Sequence, residues 1–565
     1  MDRRRLAPGR VAPALAVWLV LPLGCTANIG APSTNTPGPS GSPSPSPSTG
    51  PNGCTVKPPP ITPRLRRLSF SQYDRSVSEL VGLVLTPSTQ LGAEVDGINA
   101  VLWSGIEVAA ADAAARAVAD PTAYARLVPC TPSGDGKACA TQVITALGQH
   151  AYRRPLEATE TARYTALFDD RATLTPTGSF KEAIQLILEV MLQSPSFLLR
   201  VEKSASAQDG KIALSSLEMA SRLSYALWNG PPDDELLAAA SRGDLDTAAG
   251  VRTQAQRMLS TAEGLARARP LLKAEHKEYL GMVGAYGQFW ANTQRDPMLF
   301  PAFYPGIDVD FREEVLGFME RVVLDKSGSF QDLMTSPTAM VNAKIAPIYG
   351  LTGNFGADWT PVELDPATRP GLLTRAGFLG THGRFSRGSL IFRGAFVLKR
   401  LLCQEMGSPP AGADATPLPP TSGELKTTRD RIDALTSPTL CASCHHTRIN
   451  PAGFPLEVFD GIGAYRTQEN GTTIDTSGFV NTGGHQLSFN GPAEYAQALA
   501  ASSEAQACFV RRFAEFSFNL QNVDLGCDAS NLSAKLAEPS FKIKDFYVEF
   551  VASDAFRFRP LEEAQ

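Results

Sequence analysis

The stretch Cys441-Ala442-Ser443-Cys444-His445 decides how this chain is interpreted. Its C-x-x-C-H spacing is the attachment signature of c-type haem. Two thiols three residues apart can each bond to one vinyl group of the same porphyrin, and the next residue places an imidazole under the iron. With 9 cysteines and 6 histidines in 565 residues, composition alone predicts roughly 0.002 occurrences of this pattern. The sequence therefore predicts covalent haem c at Cys441 and Cys444, with His445 as the proximal iron ligand.

Two other interpretations of the cysteine pair stay open. Cys441 and Cys444 could form a disulfide or remain free thiols, or they could bind zinc or another metal together with His445 or His446. A structural zinc site normally has four ligands, usually from a second pair of cysteines or histidines, and the sequence offers no such pair. A metallohydrolase is disfavoured because the chain has no recognisable set of metal ligands, such as H-E-x-x-H.

A sixth ligand for the iron would have to come from elsewhere in the chain. His382 is the first candidate because it lies in residues 381–388, which we expect to form an irregular and flexible loop. His485 and Met406 are weaker candidates, and an ordinary surface histidine is the alternative for His382. Two protein ligands would favour electron transfer, whereas an open sixth position would favour peroxide or oxygen chemistry.

Several charged residues are candidates for the surroundings of the haem. Arg466, Arg393 and Arg448 could neutralise the propionates through charge-assisted hydrogen bonds. Ordinary surface arginines are the alternative. Glu457 and Asp460 are expected to cap local backbone or to pair with these arginines, and an acid–base role for them is a weaker alternative.

The N-terminus has the pattern of an export signal. Arginines at positions 3–5 and 10 form a positive region, and an apolar run follows over residues 11–23. We predict that residues 1–25 are a lipoprotein-type signal peptide and that Cys25 is the lipidated residue. Pro22 stands where such signals usually have leucine, so simple secretion is the alternative.

A segment of low complexity follows this signal. Residues 26–62 are rich in proline, serine and threonine and have little apolar content, which predicts a disordered tether. No later segment approaches the ~18 consecutive apolar residues of a membrane-spanning helix. We therefore expect an exported protein in the periplasm or at the cell surface, held by its lipid to a membrane, which we expect to be the outer membrane.

The overall charge argues against a nucleic-acid partner. The formal net charge is −5 and the isoelectric point is near 5.8, whereas nucleic-acid binding usually needs a concentrated basic face. The hydrophobic content of 43% is normal for a globular protein. The sequence does not identify a redox partner or an extracytoplasmic substrate.

Export would also allow disulfide bonds between the remaining cysteines. Cys130 and Cys139 flank a loop of turn-forming residues, and Cys508 and Cys527 bracket an expected helix and the turn after it. We expect three pairs, of which the third is what the others leave over: Cys130–Cys139, Cys508–Cys527 and Cys54–Cys403.

The ordered part of the chain is predicted to be mainly α-helical. Ser71 is the expected N-cap of the first helix and Gly82 its stop, and Ser215 with Glu218 has the spacing of a capping box. Residues 350–392 are rich in Gly, Thr and Arg, which predicts loops and short strands. Three helices are expected to close the chain, over residues 493–501, 505–520 and 541–553.

Several separated stretches together resemble a known family. They are Arg66-Arg67-Leu68 with Tyr73, Tyr152-Arg153-Arg154-Pro155-Leu156, Ala220-Ser221-Arg222-Leu223-Ser224-Tyr225 with Pro232-Asp233-Asp234-Glu235-Leu236, Arg393-Gly394 with Leu401-Leu402-Cys403, and the C-x-x-C-H with Pro451, Gly453-Phe454, Glu457, Phe459-Asp460 and Arg466. In this order they resemble exported bacterial proteins assembled from serial domains of unknown function, one of which is cytochrome-c-like. The chain departs from this pattern at Asn450, where the family usually has aspartate.

This resemblance covers roughly residues 64–560 and implies a multidomain helical protein that binds haem, with no established reaction. Beyond the signal and the tether we expect helical domains, a loop-rich cytochrome-c-like C-x-x-C-H domain and a C-terminal helical domain. Their expected bounds are 63–145, 146–205 and 206–350 for the helical domains, 351–467 for the C-x-x-C-H domain and 468–565 for the last.

The leading hypothesis is an exported haem c protein that acts in electron transfer or in an oxidative reaction on an extracytoplasmic substrate. The sequence does not decide whether the chain is an enzyme, and a haem-dependent oxidoreductase is the class it would allow. The alternative is a cell-surface binding or scaffold protein in which the cysteine pair is a disulfide or a metal clip. Its motivation is that about 350 residues precede the haem segment, far more than a small electron carrier needs.

Overall fold

The structure, a computed structural model, describes residues 54–561 except for residues 95–96, 209, 284–286, 289, 292 and 408–415. The expected signal peptide, its Cys25 and most of the tether lie outside the described residues.

The first part of the chain is a helical cluster closed by a two-stranded ribbon. Strand β1 (Leu65–Arg67) pairs antiparallel with β2 (Leu199–Val201). The helices between them are α1 Phe70–Val81, α2 Ala100–Ala119, α3 Pro121–Leu127, α4 Lys137–Tyr152, α5 Ala158–Asp169, α6 Arg171–Leu174, α7 Phe180–Gln193 and α8 Pro195–Leu198. The alanine-rich buried face of α2 lets α7 pack closely against it. Ser69, not the predicted Ser71, caps α1, and Gly82 ends it in the left-handed conformation as predicted.

The middle of the chain continues with helices and short strands. They are β3 Ala207–Gln208, β4 Lys211–Ala213, α9 Ser216–Leu227, α10 Asp234–Ser241, α11 Ala248–Ser260, α12 Ala262–Tyr279, α13 Ile307–Glu320, α14 Phe330–Thr335, β5 Thr338–Val341 and β6 Thr360–Glu363. The predicted capping box of Ser215 and Glu218 is present at the start of α9. A π-helical turn over Arg321–Asp325 extends α13.

The segment that contains the C-x-x-C-H is built from short helices. They are α15 Ala376–Thr381, α16 Leu390–Phe396, α17 Thr428–Leu435, α18 Thr439–Cys444 and α19 Asn450–Gly453, with β7 Gly383–Arg384 and β8 Arg387–Gly388 between the first two. A π-helical turn over Val397–Leu401 extends α16.

The C-terminal part packs back onto the middle of the chain. Its elements are β9 Gln468–Glu469, β10 Thr472–Thr473, β11 Ser477–Thr482, β12 His485–Asn490, α20 Gly491–Ala501, α21 Ser503–Phe518, α22 Cys527–Leu536, α23 Ile543–Ala552, α24 Asp554–Arg557 and β13 Phe558–Pro560. Strand β13 joins β4 and β3 in a three-stranded sheet. The three predicted closing helices are present as α20, α21 and α23, whereas α22 was not predicted.

Two large hydrophobic clusters form most of the core. One lies among α1 to α8, and the other contains buried residues from Leu214 to Phe556. The second cluster takes side chains from all three of the expected domains 206–350, 351–467 and 468–565, and the residues that the structure describes belong to one compact unit. The predicted mainly α fold is therefore confirmed, while the domain bounds stay predictions.

The disulfides confirm one predicted pair and correct the other two. Cys130 is bonded to Cys139 as predicted. The predicted Cys508–Cys527 and Cys54–Cys403 pairs are wrong, because the structure has Cys403–Cys508 and Cys54–Cys527.

The reason for this exchange lies in the packing of distant segments. The buried Cys508 on α21 faces the end of the π-helical turn at residues 397–401, where its Sγ lies 3.3 Å from the carbonyl oxygen of Arg400. The N–H of Cys527 donates to the carbonyl of Thr55, which brings the chain next to Cys54 against the start of α22. Partners separated by 105 and 473 residues are not visible in local spacing.

Within the described residues no helix is both long and apolar enough to cross a bilayer. The three disulfides indicate an oxidising, extracytoplasmic compartment.

Candidate cofactor-attachment site

The C-x-x-C-H lies on an interrupted helix. Helix α18 ends at Cys444, a π-helical turn covers His445–Ile449, and α19 follows. The N–H of Asn450 bonds to the carbonyl of His445, five residues earlier, and Pro451 has no N–H to donate to a carbonyl one turn earlier. The helix therefore widens at the proposed iron ligand.

Both thiols of the motif are free and reachable. Cys441 is half-buried and Cys444 is exposed, and the structure contains neither in a disulfide. Residues at positions i and i+3 share one face of a helix, so Cys441 and Cys444 project from the same side of α18, and His445 follows directly. Leu440 beside them is 74% exposed and provides apolar surface next to the thiols.

A buried asparagine fixes the imidazole of His445. The Nδ1 atom of His445 lies 3.0 Å from Oδ1 of Asn450, whose side chain is fully buried. The amide nitrogen of Asn450 donates to a carboxylate oxygen of Asp433 at 2.9 Å and to the hydroxyl of Thr436 at 3.1 Å. These two bonds determine which end of the amide faces the histidine. Because Oδ1 can only accept, Nδ1 of His445 carries the proton and Nε2 presents its lone pair.

The same short network also holds the neighbouring histidine. Nε2 of His446 lies 3.0 Å from the hydroxyl of Thr436 and 3.2 Å from the carbonyl of Asp433. His446 is thus occupied by α17 and the residue after it, whereas Nε2 of His445 has no hydrogen-bond partner among the residues described in the structure. The two adjacent imidazoles therefore have different roles, and His445 is the one available as a ligand.

These residues fit a covalently attached haem. The site offers two accessible thiols at the required spacing and an imidazole whose Nε2 is the unprotonated nitrogen, with a second residue orienting its other nitrogen as metal-binding histidines require. A metal clip fits less well. In the part of the chain that the structure describes, no group of three or more His, Cys, Asp or Glu side chains is arranged to hold a metal ion.

His382 is not on a flexible loop. It follows directly after α15 and is buried, with Nδ1 2.9 Å from the carbonyl of Phe378 and its ring packed against those of Trp290, Phe378 and Phe396. Burial lowers its pKa to about 4, so the ring is neutral at pH 7. The expected loop is therefore corrected to a helix end in the aromatic core. The sixth-ligand role of His382 stays a prediction.

Arg393 holds backbone rather than a surface anion. Its side chain is fully buried, and its two terminal nitrogens donate to four carbonyls at 2.7–2.9 Å, those of Leu379, Leu456, Phe459 and Asp460. The guanidinium thereby joins α16 to the chain that follows α19. This is a structural role, and the propionate role stays a prediction.

The remaining charged candidates form local pairs. Arg466 lies 3.0 Å from a carboxylate oxygen of the fully buried Glu457, and burial raises the pKa of Glu457 to about 7. Asp460 accepts the N–H groups of Ile462 and Ala464. The predicted capping and pairing roles of Glu457 and Asp460 are confirmed.

The other candidates are spread over different surfaces. Arg448 donates to the side chain of Gln404 at 3.1 Å and to the carbonyl of Glu405 at 3.2 Å. His485 is exposed at the start of β12, and Met406 is half-buried against the large core. Roles in haem binding for Arg448, His485 and Met406 stay predictions.

Asn450 is the residue of the candidate site that sequence reasoning did not recognise. In the sequence it is visible only as a departure from the resembled pattern before Pro451. A polar side chain five residues after the proposed ligand was the available signal, but its contact with His445 depends on the widened helical turn.

Three family models match the chain in series, each described as a protein of unknown function. DUF1595 covers residues 139–202, DUF1592 covers residues 214–351 and DUF1588 covers residues 369–469. This order confirms the resemblance to proteins built from serial domains of unknown function, and the third range contains the C-x-x-C-H. No curated protein and no solved structure matches the chain.

Proposed function

From the premise that the chain belongs to the family of multidomain proteins assembled from these serial domains of unknown function, we propose that it is an exported electron-transfer protein with one haem c. Cys441 and Cys444 attach the haem, and His445 binds its iron. The observation that carries the proposal is the hydrogen bond from Nδ1 of His445 to Asn450, because it leaves Nε2 as a ligand atom beside two free thiols.

Each residue of the site has a defined task in this proposal. The two thiols supply the covalent bonds, and Asn450 orients the imidazole and keeps its Nδ1 protonated. Asp433 and Thr436 accept hydrogen bonds from the amide nitrogen of Asn450 and so fix the orientation of its side chain. A haem bound here supplies one-electron redox chemistry.

Lipid anchoring is the second part of the proposal, and it is supported by the signal pattern that ends at Cys25. A lipid on Cys25, followed by a tether with little apolar content, would hold the compact part of the protein near a membrane without a spanning helix. We expect Cys25→Ser to move the exported protein from the membrane fraction to the soluble fraction. Equal membrane retention of the variant would contradict the anchor.

The electron-transfer role is tested by a spectroelectrochemical titration of exported protein. We expect one reversible one-electron transition that is lost in Cys441→Ala/Cys444→Ala and kept in Ser443→Ala, a matched change at an exposed position of the same motif. A haem that is not reduced and reoxidised reversibly would contradict electron transfer. Rapid peroxide-dependent turnover would assign the protein to the haem-dependent oxidoreductases instead.

A surface-binding role is the second candidate, favoured by a groove of about 1020 Å³ between the N-terminal helices and α21. In this alternative the binding of a partner would survive Cys441→Ala/Cys444→Ala. Point variants are a sharper test than a shortened chain. The large core contains residues from Leu214 to Phe556, so a truncation in the middle of the chain, for example near residue 345, would cut through it.

A further inference from the structure

The groove of about 1020 Å³ carries an excess of positive charge. It lies where β1, β2 and α9 meet the end of α21. Three glutamates line it, Glu94, Glu278 and Glu515, against twice as many arginines. The chain as a whole has a net charge of −5, so this positive surface is local. The arginines are Arg66, Arg67, Arg200, Arg222, Arg400 and Arg512.

Four of these arginines have partners within the protein. Arg222 forms two hydrogen bonds with Glu202 at 2.6 and 2.8 Å, and Arg512 lies 2.8 Å from Glu515. Arg67 lies 3.5 Å from Glu94. Arg400 donates to the carbonyl of Tyr279 at 3.0 and 3.1 Å. Three of these arginines are therefore paired with a carboxylate, and the fourth is hydrogen-bonded to a backbone carbonyl.

Arg66 and Arg200 are different. They are directly opposite each other in the β1–β2 ribbon, and like charges in such a pair repel. No carboxylate among the described residues lies within ion-pair distance of either guanidinium. Arg66 makes one long bond of 3.5 Å to the carbonyl of Phe518, and the buried Nε of Arg200 has no hydrogen-bond partner in the described part of the chain.

Burial makes the charged forms of both arginines less favourable and lowers the pKa of each. The guanidinium of Arg200 lies 4.7 Å from the centre of the Tyr225 ring, which supports it from one side. Burial, followed by the charge of Arg66, lowers the pKa of Arg200 to about 10. The negative charge of Glu202 raises the pKa of both Arg66 and Arg200, but its carboxylate is already hydrogen-bonded to Arg222. An additional anion between Arg66 and Arg200 would offset both the cost of burying their charges and the repulsion between them.

We propose that Arg66 and Arg200 together bind an oxyanion, a carboxylate or a phosphate, of an organic ligand that lies in this groove. The planar guanidinium groups offer paired donors that match the oxygens of either anion. The volume of the groove is at the upper end of that of sites for small organic ligands, ~300–1,000 Å³. Cys441, Cys444 and His445 do not line it, so this binding site is separate from haem attachment and does not depend on it.

The test is calorimetric titration of the whole exported protein with two probes, inorganic phosphate and succinate. We expect saturable binding of at least one probe, and the stronger of the two identifies the anion class. Arg66→Gln and Arg200→Gln should each weaken that binding by roughly tenfold or more, as loss of a charge-assisted hydrogen bond predicts. Arg64→Gln is the matched control, because Arg64 is exposed next to β1 and does not line the groove.

Thermal unfolding provides a second readout that a merely structural arginine would not give. Without added anion, Arg66→Gln should raise the unfolding temperature because it removes the cross-strand repulsion. With the anion, wild type should gain stability and this variant should not. The proposal is overturned if wild type binds neither probe saturably, or if Arg66→Gln and Arg200→Gln bind like Arg64→Gln. Arg66→Lys, which keeps the charge but loses the paired donors, should bind more weakly than wild type.

Discussion

At the scale of single residues, Asn450 determines what His445 can do. Its amide nitrogen is taken by Asp433 and Thr436, so only its oxygen is left for the imidazole. An aspartate, the residue usual in the resembled family, would here bring a second carboxylate against that of Asp433. The departure at position 450 therefore fits the particular neighbour that this chain has at position 433.

This relation predicts the effect of Asn450→Asp. At pH 7 the variant places a buried carboxylate against the half-buried one of Asp433 and loses the donor to Thr436, so we expect the free energy of unfolding to fall by ~2–4 kcal/mol. The measurement is denaturant unfolding of the protein without haem. The double variant Asn450→Asp/Asp433→Asn exchanges donor and acceptor and should recover most of the loss. A single variant as stable as wild type would show that the Asp433 contact is unimportant.

The sequence located the residues of the site whose chemistry is local, and it missed those whose roles depend on packing. Cys441, Cys444 and His445 are recognisable because their function is in their spacing. The burial of His382 was not predictable, because the rings around it come from Trp290 and Phe396, which lie on either side of it in the chain.

At the scale of elements, α12 carries two titratable side chains inside the large core. Glu275 and His276 are only 2% and 1% exposed. The hydroxyl of Tyr547 donates to Glu275 at 3.3 Å, while neither ring nitrogen of His276 has a hydrogen-bond partner among the described residues. Burial raises the pKa of Glu275 to about 8 and lowers that of His276 to about 3.

These shifts predict how stability depends on pH. Between about pH 4.5 and pH 8 the folded protein keeps a proton on Glu275 that the unfolded chain has released, so stability contributed by this group falls as pH rises. We expect Glu275→Gln to gain stability relative to wild type over this window, as measured by denaturant unfolding at several pH values. Nε2 of His276 lies only 3.6 Å from a carboxylate oxygen of Glu275, so the comparison is made above about pH 6.5, where His276 is neutral in both the folded and the unfolded chain.

The control for this measurement is Glu263→Gln, at an exposed position in the first turn of the same helix. The free energy of unfolding of this control should depend on pH in the same way as that of wild type. If the free energy of unfolding of Glu275→Gln also depends on pH as that of wild type does, Glu275 is not buried in its protonated state.

Helix ends were predictable where a side chain or a glycine marks them, as at Gly82 and at Ser215 with Glu218. Helices α22 and α15 are two of those that the sequence did not indicate, each for a physical reason. Helix α22 buries only Leu532 and Leu536, which is too few apolar positions for a periodic pattern. Helix α15 contains Gly377 and Gly380, which indicated a loop.

The glycines of α15 are there for close packing against α13. A Cβ at Gly377 would lie 2.0 Å from the carbonyl oxygen of Phe311, and one at Gly380 would lie 2.3 Å from the ring of the same residue. Glycine is a helix-breaking signal in a sequence, but here it is the residue that lets two helices approach.

At the scale of the whole molecule, the disulfides join segments that are far apart in the chain. Cys54–Cys527 spans 473 residues and connects the beginning of the described chain to α22. We expect Cys54→Ala/Cys527→Ala to lower the free energy of unfolding by ~2–5 kcal/mol, measured by denaturant unfolding under oxidising conditions. Cys130→Ala/Cys139→Ala, which opens a loop of only 9 residues in separation, is the matched control and should cost less. A larger loss for the short loop would contradict this account.

The order of the domains along the chain was predictable, but the core that they share was not. Serial domains were expected from separated stretches of sequence, and the family models follow one another along the chain. The shared core from Leu214 to Phe556 could not be predicted, because it depends on which helix faces pack together over long separations. The same limitation led to the wrong pairing of Cys508 with Cys527.

The most direct test of the central claim is a pyridine haemochrome spectrum. The protein is exported from cells that have c-type maturation machinery, and wild type is compared with Cys441→Ala/Cys444→Ala and with Ser443→Ala. We expect a covalent c-type spectrum in wild type and Ser443→Ala and its loss in the double cysteine variant. Properly exported wild-type protein without covalent haem would contradict the account, and the cysteine pair would then be free thiols or part of a metal clip.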